Sequence, residues 1–386
     1  MGQRTGWTIC NGNWDKTDRG LAMKITGYNT RVVRVPADNP LVDGIPIGPG
    51  TRDFVTLELE TDEGIQGIGY SFIPGMVGNP LFTALKVTVD AMCEIIIGDD
   101  PMGIEAIVAK LKRQTGTIGP GMFNFALAGV DVALWDIKGK AFGLPVATLL
   151  GGHRDRVPTY ASGQLTRDRN LEFLADVGSR LVEKGFKQMK TQMGAEPSAD
   201  DEVARIRVMR EAIGPDIDLM CDINQLWDVN RAISIGKRVE EYNLFWLEDL
   251  TTYDDYQGLA RIADALTTPL ACGEYVFGIA PFRQLIENRS IDIVMIDLMR
   301  VGGITQFQKV AGMAEAFNMP VVSHVAPEVQ VHNVAAIPNG LTVEYMPWSL
   351  QLFEDTPAIV DGEIVVPNRP GLGLAFSEEA MKQYAV

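Results

Sequence analysis

The chain has 386 residues and a formal charge of −16, with 46% hydrophobic and 22% charged residues. This composition supplies a large core for two or three domains and excludes disordered, collagen-like and short disulfide-framework proteins. The negative field repels phosphodiester backbones and anionic membranes, so neither nucleic acid nor a membrane is expected as a partner.

Residues 1–22 are polar and rich in Gly and Asn without an apolar run, and read as a loose arm rather than a leader. Cys10, Cys93, Cys221 and Cys272 form no CxxC pair, which argues against a thiolate zinc site and for a reducing, cytoplasmic setting. The segments ITGYNTRVVRVP and DFVTLELETDEGIQGIGYSF alternate as antiparallel strands, the second turning at Asp62 to Gly64. From Pro80 to Gly143 the spacing is helical. The most apolar stretch, Met122 to Trp135, is broken by Asn124 and Asp131 and is too short to span a membrane. The first part is therefore α+β, and the protein is expected to be soluble.

Beyond Arg156, short β-rich runs alternate with amphipathic helices. The eight strand candidates are VPTYAS, KQMKTQM, IDLMCDI, LFWLE, PLACGE, DIVMID, PVVSH and LTVEY. Eight such units fit a closed (β/α)8 TIM barrel better than an open doubly wound sheet. Neither GxGxxG nor GxxxxGK[ST] is present, so nucleotide binding has no support.

Functional groups in such a barrel project from the C-terminal strand ends. Here those ends read Lys190 and Gln192, Asp222, Glu248, Glu274, Asp297, His324 and Glu344. One such residue alone reads as a helix cap or a satisfied buried group; a polar group on seven successive strands does not. Asp222, Glu248 and Glu274 end three adjacent strands and cannot all stay ionised unpaired at one barrel mouth. A hard cation with oxygen ligands, Mg²⁺, resolves the repulsion; the competing reading is neutralisation by Lys190 and Arg300. Zinc is disfavoured without a His or Cys cluster. Of the three histidines, His324 is the natural general base, with Asp297 on the preceding strand fixing its tautomer. His153, in a turn, and His332, in a helix, read as structural.

Taken in order, VDVALWDIKGKAFGLPVATLLGG, GFKQMKTQMG, CDINQ, WLED, CGE, DLMRVGGIT, SHVAP and VEYMPW resemble the enolase superfamily, in particular its mandelate racemase/muconate lactonizing enzyme-like family. The resemblance covers the chain from about Met23. It implies an α+β N-terminal capping domain over 23–150, a modified (β/α)8 barrel over 151–347, and a C-terminal segment, 348–386, returning to the cap. Two cap loops, near residues 39–48 and 73–79, would close over the barrel and select the substrate. It also implies that Asp222, Glu248 and Glu274 hold Mg²⁺, Lys190 holds the substrate carboxylate, His324 with Asp297 is the base, and Glu344 bears on the carboxylate or its enediolate. Asn224 and Gln225 would contact substrate or lie just behind it. A homo-oligomer is expected on the same ground.

The departure from the family pattern lies in the second strand, where Lys-x-Lys is replaced by Lys190, Thr191, Gln192. Gln192 cannot take a proton, and Lys187 falls on the other face of the strand. Leu250 also stands where relatives often have proline. Inversion of a carbon normally needs a base on each face, whereas a single base suits β-elimination from a 2,3-dihydroxy acid. The expectation is a Mg²⁺-dependent dehydratase of a sugar acid, with Gln192 bonding substrate hydroxyls. The alternatives are a racemase, epimerase or cycloisomerase of the same family, or a non-catalytic sugar-acid binder.

Overall fold

The computed structural model describes residues 23–36, 40–45, 50–74 and 81–386. The expected arm lies outside the described residues, as do positions 39 and 46–48 of the first cap loop and 75–79 of the second.

Strands β1 (Ile25–Pro36), β2 (Thr51–Thr61) and β3 (Gln66–Ser71) form an antiparallel sheet, with Val32 opposite Val55 and Leu57 opposite Gly69. Helices α1 (Leu81–Ile96), α2 (Ile104–Thr115) and α3 (Pro120–Phe142) cover it. A Cβ at Gly69 would come 2.0 Å from the Gly129 carbonyl, so glycine there permits the close packing of β3 on α3. The polar interruptions of α3 are its ties to its neighbours. Asn124 donates to the Arg300 carbonyl at 2.8 Å, and Asp131 accepts from Thr305 N–H at 2.9 Å. Asp136 accepts from Ile68 N–H and Leu372 N–H, both at 2.9 Å. Among the described residues, no helix is long and apolar enough to cross a membrane.

The eight expected strands form the barrel: β4 (Arg156–Leu165), β5 (Gln188–Gln192), β6 (Asp218–Asp222), β7 (Trp246–Glu248), β8 (Leu270–Cys272), β9 (Ile293–Asp297), β10 (Val321–His324) and β11 (Gly340–Tyr345). Each runs parallel to the next, and β11 pairs with β4 to close the ring. Side chains fill its interior, among them Tyr160, Met220, Trp246, Met295 and Val322. Three of the intervening helices start on side-chain caps, Asn170, Ser198 and Asp228 accepting first-turn N–H groups.

The register sets the site. Gln192, Asp222 and Glu248 are consecutive partners across β5, β6 and β7, and Asp297 is opposite His324. Glu274 does not end a strand: β8 stops at Cys272, Gly273 turns with φ 135°, and Glu274 follows in the loop.

The C-terminal segment packs against the cap, with Arg34 N–H bonding the Tyr384 carbonyl and Val386 N–H the Val32 carbonyl. Further buried junctions join the parts. The Tyr70 hydroxyl on β3 and Ser349 Oγ both donate to Glu328 Oε1, the latter at 2.6 Å. His332, in helix Pro327–Ala336, accepts from Ala147 N–H at 3.2 Å through Nδ1, and its Nε2–H donates to the Leu372 carbonyl at 3.0 Å.

Candidate active site

The strand ends converge on a cavity of about 320 Å³, whose lining includes Lys190, Asp222, Glu274, Arg300 and His324. This size suits a small molecule.

Lys190 Nζ is buried, 2.6 Å from Glu248 Oε1 and 2.9 Å from Glu344 Oε1. Burial alone would lower its pKa, but the two carboxylates outweigh that and hold it charged, well above the usual lysine range. Glu344 also accepts from Ser162 Oγ and from Val325 N–H, each at 2.8 Å. Burial pushes Glu344 up, yet Lys190 and His324 beside it hold it down at about 2. Val325 and Ala326 both take left-handed backbone conformations, φ 50° and 52°, which cost about 1–2 kcal/mol each for non-glycine residues. That turn is what brings the Val325 N–H onto Glu344.

His324 Nδ1 lies 2.6 Å from Asp297 Oδ2. Asp297 Oδ1 accepts from Arg300 N–H at 2.6 Å, so the same carboxylate caps the short helix Leu298–Val301 and orients the ring. Burial raises the Asp297 pKa, but Arg300 and His324 more than offset it and keep the group ionised. An ionised acceptor on Nδ1 fixes the proton there and leaves Nε2 as the basic atom, facing the cavity. Burial likewise disfavours charge on His324, while Glu274, Glu344 and Asp297 together raise it to about 9.

A second buried acidic group overlaps the expected trio of Asp222, Glu248 and Glu274. Asp222, Glu248 and Asp249 each offer an oxygen within 4.8 Å of the others, all three buried. Glu274 Oε2 instead lies 3.2 Å from His324 Nε2 and accepts no hydrogen bond. Neither Asp249 oxygen accepts from an N–H or O–H group; its side-chain partner is the Cys272 thiol. Burial first, then neighbouring carboxylates, push Asp222 up to about 6 and raise Glu248 and Asp249 well above the usual range. Orphaned, mutually repelling carboxylate oxygens are what a hard divalent cation satisfies, so this oxygen-only set fits Mg²⁺. Asp249 escapes a reading from sequence because strand alternation sends only one of two adjacent acids inward. Its φ of 44° ends that alternation. The signal was the acidic pair itself in WLED.

Asn224 holds both oxygens of Asp222, through its backbone N–H and its Nδ2, each at 2.7 Å. Its Oδ1 accepts from Gln192 Nε2 at 3.2 Å and from the Arg167 guanidinium. Asn224 thus uses its full hydrogen-bonding capacity within the protein. Gln225 faces away from this group, its Oε1 accepting from Tyr253 N–H at 3.1 Å.

A metal-fitting acidic cluster and an Asp-oriented histidine at the mouth of a capped (β/α)8 barrel define an enzyme of the enolase superfamily. The family model described as "Mandelate racemase / muconate lactonizing enzyme, N-terminal domain" matches residues 30–151, and "Enolase C-terminal domain-like" matches 172–380. The chain belongs to the mandelate racemase/muconate lactonizing enzyme family. It is 35% identical to L-talarate/galactarate dehydratase of Salmonella typhimurium over 330 residues, 85% of this chain and 81% of that protein. It is 30% identical to 3,6-anhydro-alpha-L-galactonate cycloisomerase of Streptomyces coelicolor, covering 94% of this chain and 99% of that protein. The crystal structure of L-talarate dehydratase from Polaromonas sp. JS666, complexed with Mg and L-glucarate, superposes with a TM-score of 0.85 at 32% identity, over 95% of this chain and 98% of that one.

Proposed function

We propose that the protein is a Mg²⁺-dependent acid-sugar dehydratase. The observation that carries this reading is the single base: His324 is held by Asp297 at 2.6 Å, while the cavity wall on β5 carries the non-ionisable Gln192. Similarity to magnesium-bound acid-sugar dehydratases supports it.

Asp222 and Glu248, with Asp249 or Glu274 as the third carboxylate, would hold the metal, which supplies Lewis-acid stabilisation of the negative charge that develops on the substrate carboxylate. Lys190, charged and fixed, orients that carboxylate. In its neutral form His324 takes the C2 proton through Nε2, and the C–H electron pair passes into the enediolate. The imidazolium, stabilised by Asp297, then gives the proton to the 3-hydroxyl. The C3–O bond breaks, water leaves, and the enol tautomerises to a 2-keto-3-deoxy acid. One residue acts as base and then as acid.

A screen of sugar acids with Mg²⁺, scoring 2-keto acid formation, tests the reading. His324→Asn should abolish turnover and leave metal binding intact; dehydration retained in that variant refutes the assignment. Similarity to a cycloisomerase supports a second reading, a proton transfer within the substrate. Deuterium from solvent entering recovered substrate, without water loss, would favour it. The expected homo-oligomer is checked by light scattering on the purified chain.

A further inference from the structure

We infer that Arg167 is a positioning residue for the metal: through Asn224, its guanidinium fixes the orientation in which Asp222 meets the cation. This rests on the metal-binding part of the dehydratase reading.

The turn after β6 sets Asn224 against Asp222. Asn224 and Gln225 take left-handed conformations, φ 47° and 66°. The turn is tied to the end of β7 by Ile223 N–H on the Glu248 carbonyl at 3.1 Å and Trp227 N–H on the Leu250 carbonyl at 3.3 Å. From there Asn224 gives its backbone N–H to Asp222 Oδ1 and its Nδ2 to Oδ2. Each carboxylate oxygen has two lone pairs, so one on each is taken and the other is left, in a fixed direction, for a metal. The arrangement lasts only while the amide keeps its nitrogen toward Asp222. Turned over, it would set Oδ1 against a carboxylate oxygen, acceptor to acceptor.

Of the groups around that amide, Asp222 is the one being positioned. The Gln192 amide and the Tyr275 hydroxyl, each 3.2 Å away, could serve a turned Asn224 equally well, because an amide rotates and a hydroxyl both gives and takes. Arg167 could not. A guanidinium has donors only, and it meets Asn224 Oδ1, which selects one orientation of the amide. The backbone of Arg167 acts in the same sense, its N–H meeting Gln192 Oε1 at 3.4 Å and so turning Gln192 Nε2 to Asn224.

Arg167 follows β4 by two residues; Asn224 lines the cavity and Arg167 does not. Its neighbour Arg205 shows what an arginine serving the fold looks like. Arg205 Nε bonds the Gln192 carbonyl at 3.3 Å, Nη1 the Arg169 carbonyl and Glu196 at 2.8 Å each, and Nη2 the Thr166 carbonyl at 3.0 Å. It clamps the residues on both sides of Arg167 to the end of β5. Arg167 itself is held differently. Its Nε is buried without a hydrogen-bond partner, and among the described residues its guanidinium bonds Asn224 alone. An unpaired buried donor costs about 1–3 kcal/mol, so the side chain is placed for that one contact rather than for stability.

Orientation and bare charge predict opposite effects. A guanidinium repels a divalent cation twice as strongly as it repels the single proton that competes for the same carboxylate. Were charge alone at work, removing Arg167 would tighten the metal; if Arg167 orients Asn224, removing it loosens the metal.

The test is the Mn²⁺ Kd, from titrations followed by electron paramagnetic resonance, of the wild type, Arg167→Met, Asn224→Gly and the double variant. Urea unfolding of each metal-free protein gives the folded fraction to which Kd refers. Glycine keeps the left-handed backbone and the N–H at position 224 while removing the side chain. Arg167→Met should weaken Mn²⁺ binding by about tenfold, the lower end of the about 10–100-fold range for groups that orient metal ligands. In the Asn224→Gly background, Arg167→Met should weaken it no further. Unchanged or tighter binding by Arg167→Met overturns the inference, and so does an equal weakening in both backgrounds, which would mark a general structural effect. Either result leaves the metal reading standing. A wild type that binds no Mn²⁺ overturns both.

Discussion

Acid should unfasten the junction at His332. Burial holds the His332 pKa down at about 4, against 6.5 in the unfolded chain. The native state therefore prefers the neutral ring, and as pH falls the unfolded state takes up the proton first. His332's contribution is complete above about pH 6.5 and is lost as pH falls toward 4. At about 1.36 kcal/mol per pH unit the gap amounts to about 3 kcal/mol, a large share of the stability of a typical protein. The physical cause is specific: a proton on Nδ1 would point at the Ala147 N–H that now donates to it. Urea midpoints of the wild type and His332→Gln, taken from about pH 8 down to about pH 4, give the assay. The wild type should lose about 3 kcal/mol more than the variant over that span. Parallel pH profiles for the two proteins would refute the reasoning.

Asp297→Asn, which leaves a neutral amide beside His324 Nδ1, should cut kcat by about 10²–10⁴-fold with far less effect on KM, read from steady-state kinetics. Lys190→Met leaves Glu248 and Glu344 buried without their shared cation and should destabilise the metal-free protein by about 3–5 kcal/mol, read from urea unfolding. Asp249→Asn should weaken Mn²⁺ binding by about 10–100-fold, measured by titration with electron paramagnetic resonance detection; unchanged affinity would mean that Asp249 takes no part in holding the ion.

Much of the barrel and the placement of its polar strand ends was legible because period and register are local properties. Strand alternation places Lys190 and Gln192 on one face, and parallel pairing lines up Gln192, Asp222 and Glu248. The Asp297–His324 pair follows from the same rule, applied to neighbouring strands. What stayed hidden depends on single backbone torsions or on side chains distant in sequence. Asp249 joins the acidic group where extended geometry breaks, and Glu274 sits past a strand that ends earlier than its apolar run suggests. Gln192 was expected to bond substrate hydroxyls; that it is also held by Arg167 and Asn224 depends on loops that no periodicity describes. Asn124 and Asp131 looked like defects in an apolar helix and are its bonds to Arg300 and Thr305.

The carboxylate of Glu328, shared by Tyr70 and Ser349, bears on how such a protein could change over evolutionary time. A cap borrowed from another lineage would have to present a hydroxyl where Tyr70 does, or strand a buried acid at the start of the helix that follows His324. Exchange of whole domains is thereby penalised, while point changes on the outer wall of the cavity leave that junction untouched. New substrate preferences are accordingly expected to arise by substitution within an inherited cap and barrel pair rather than by recombination between them.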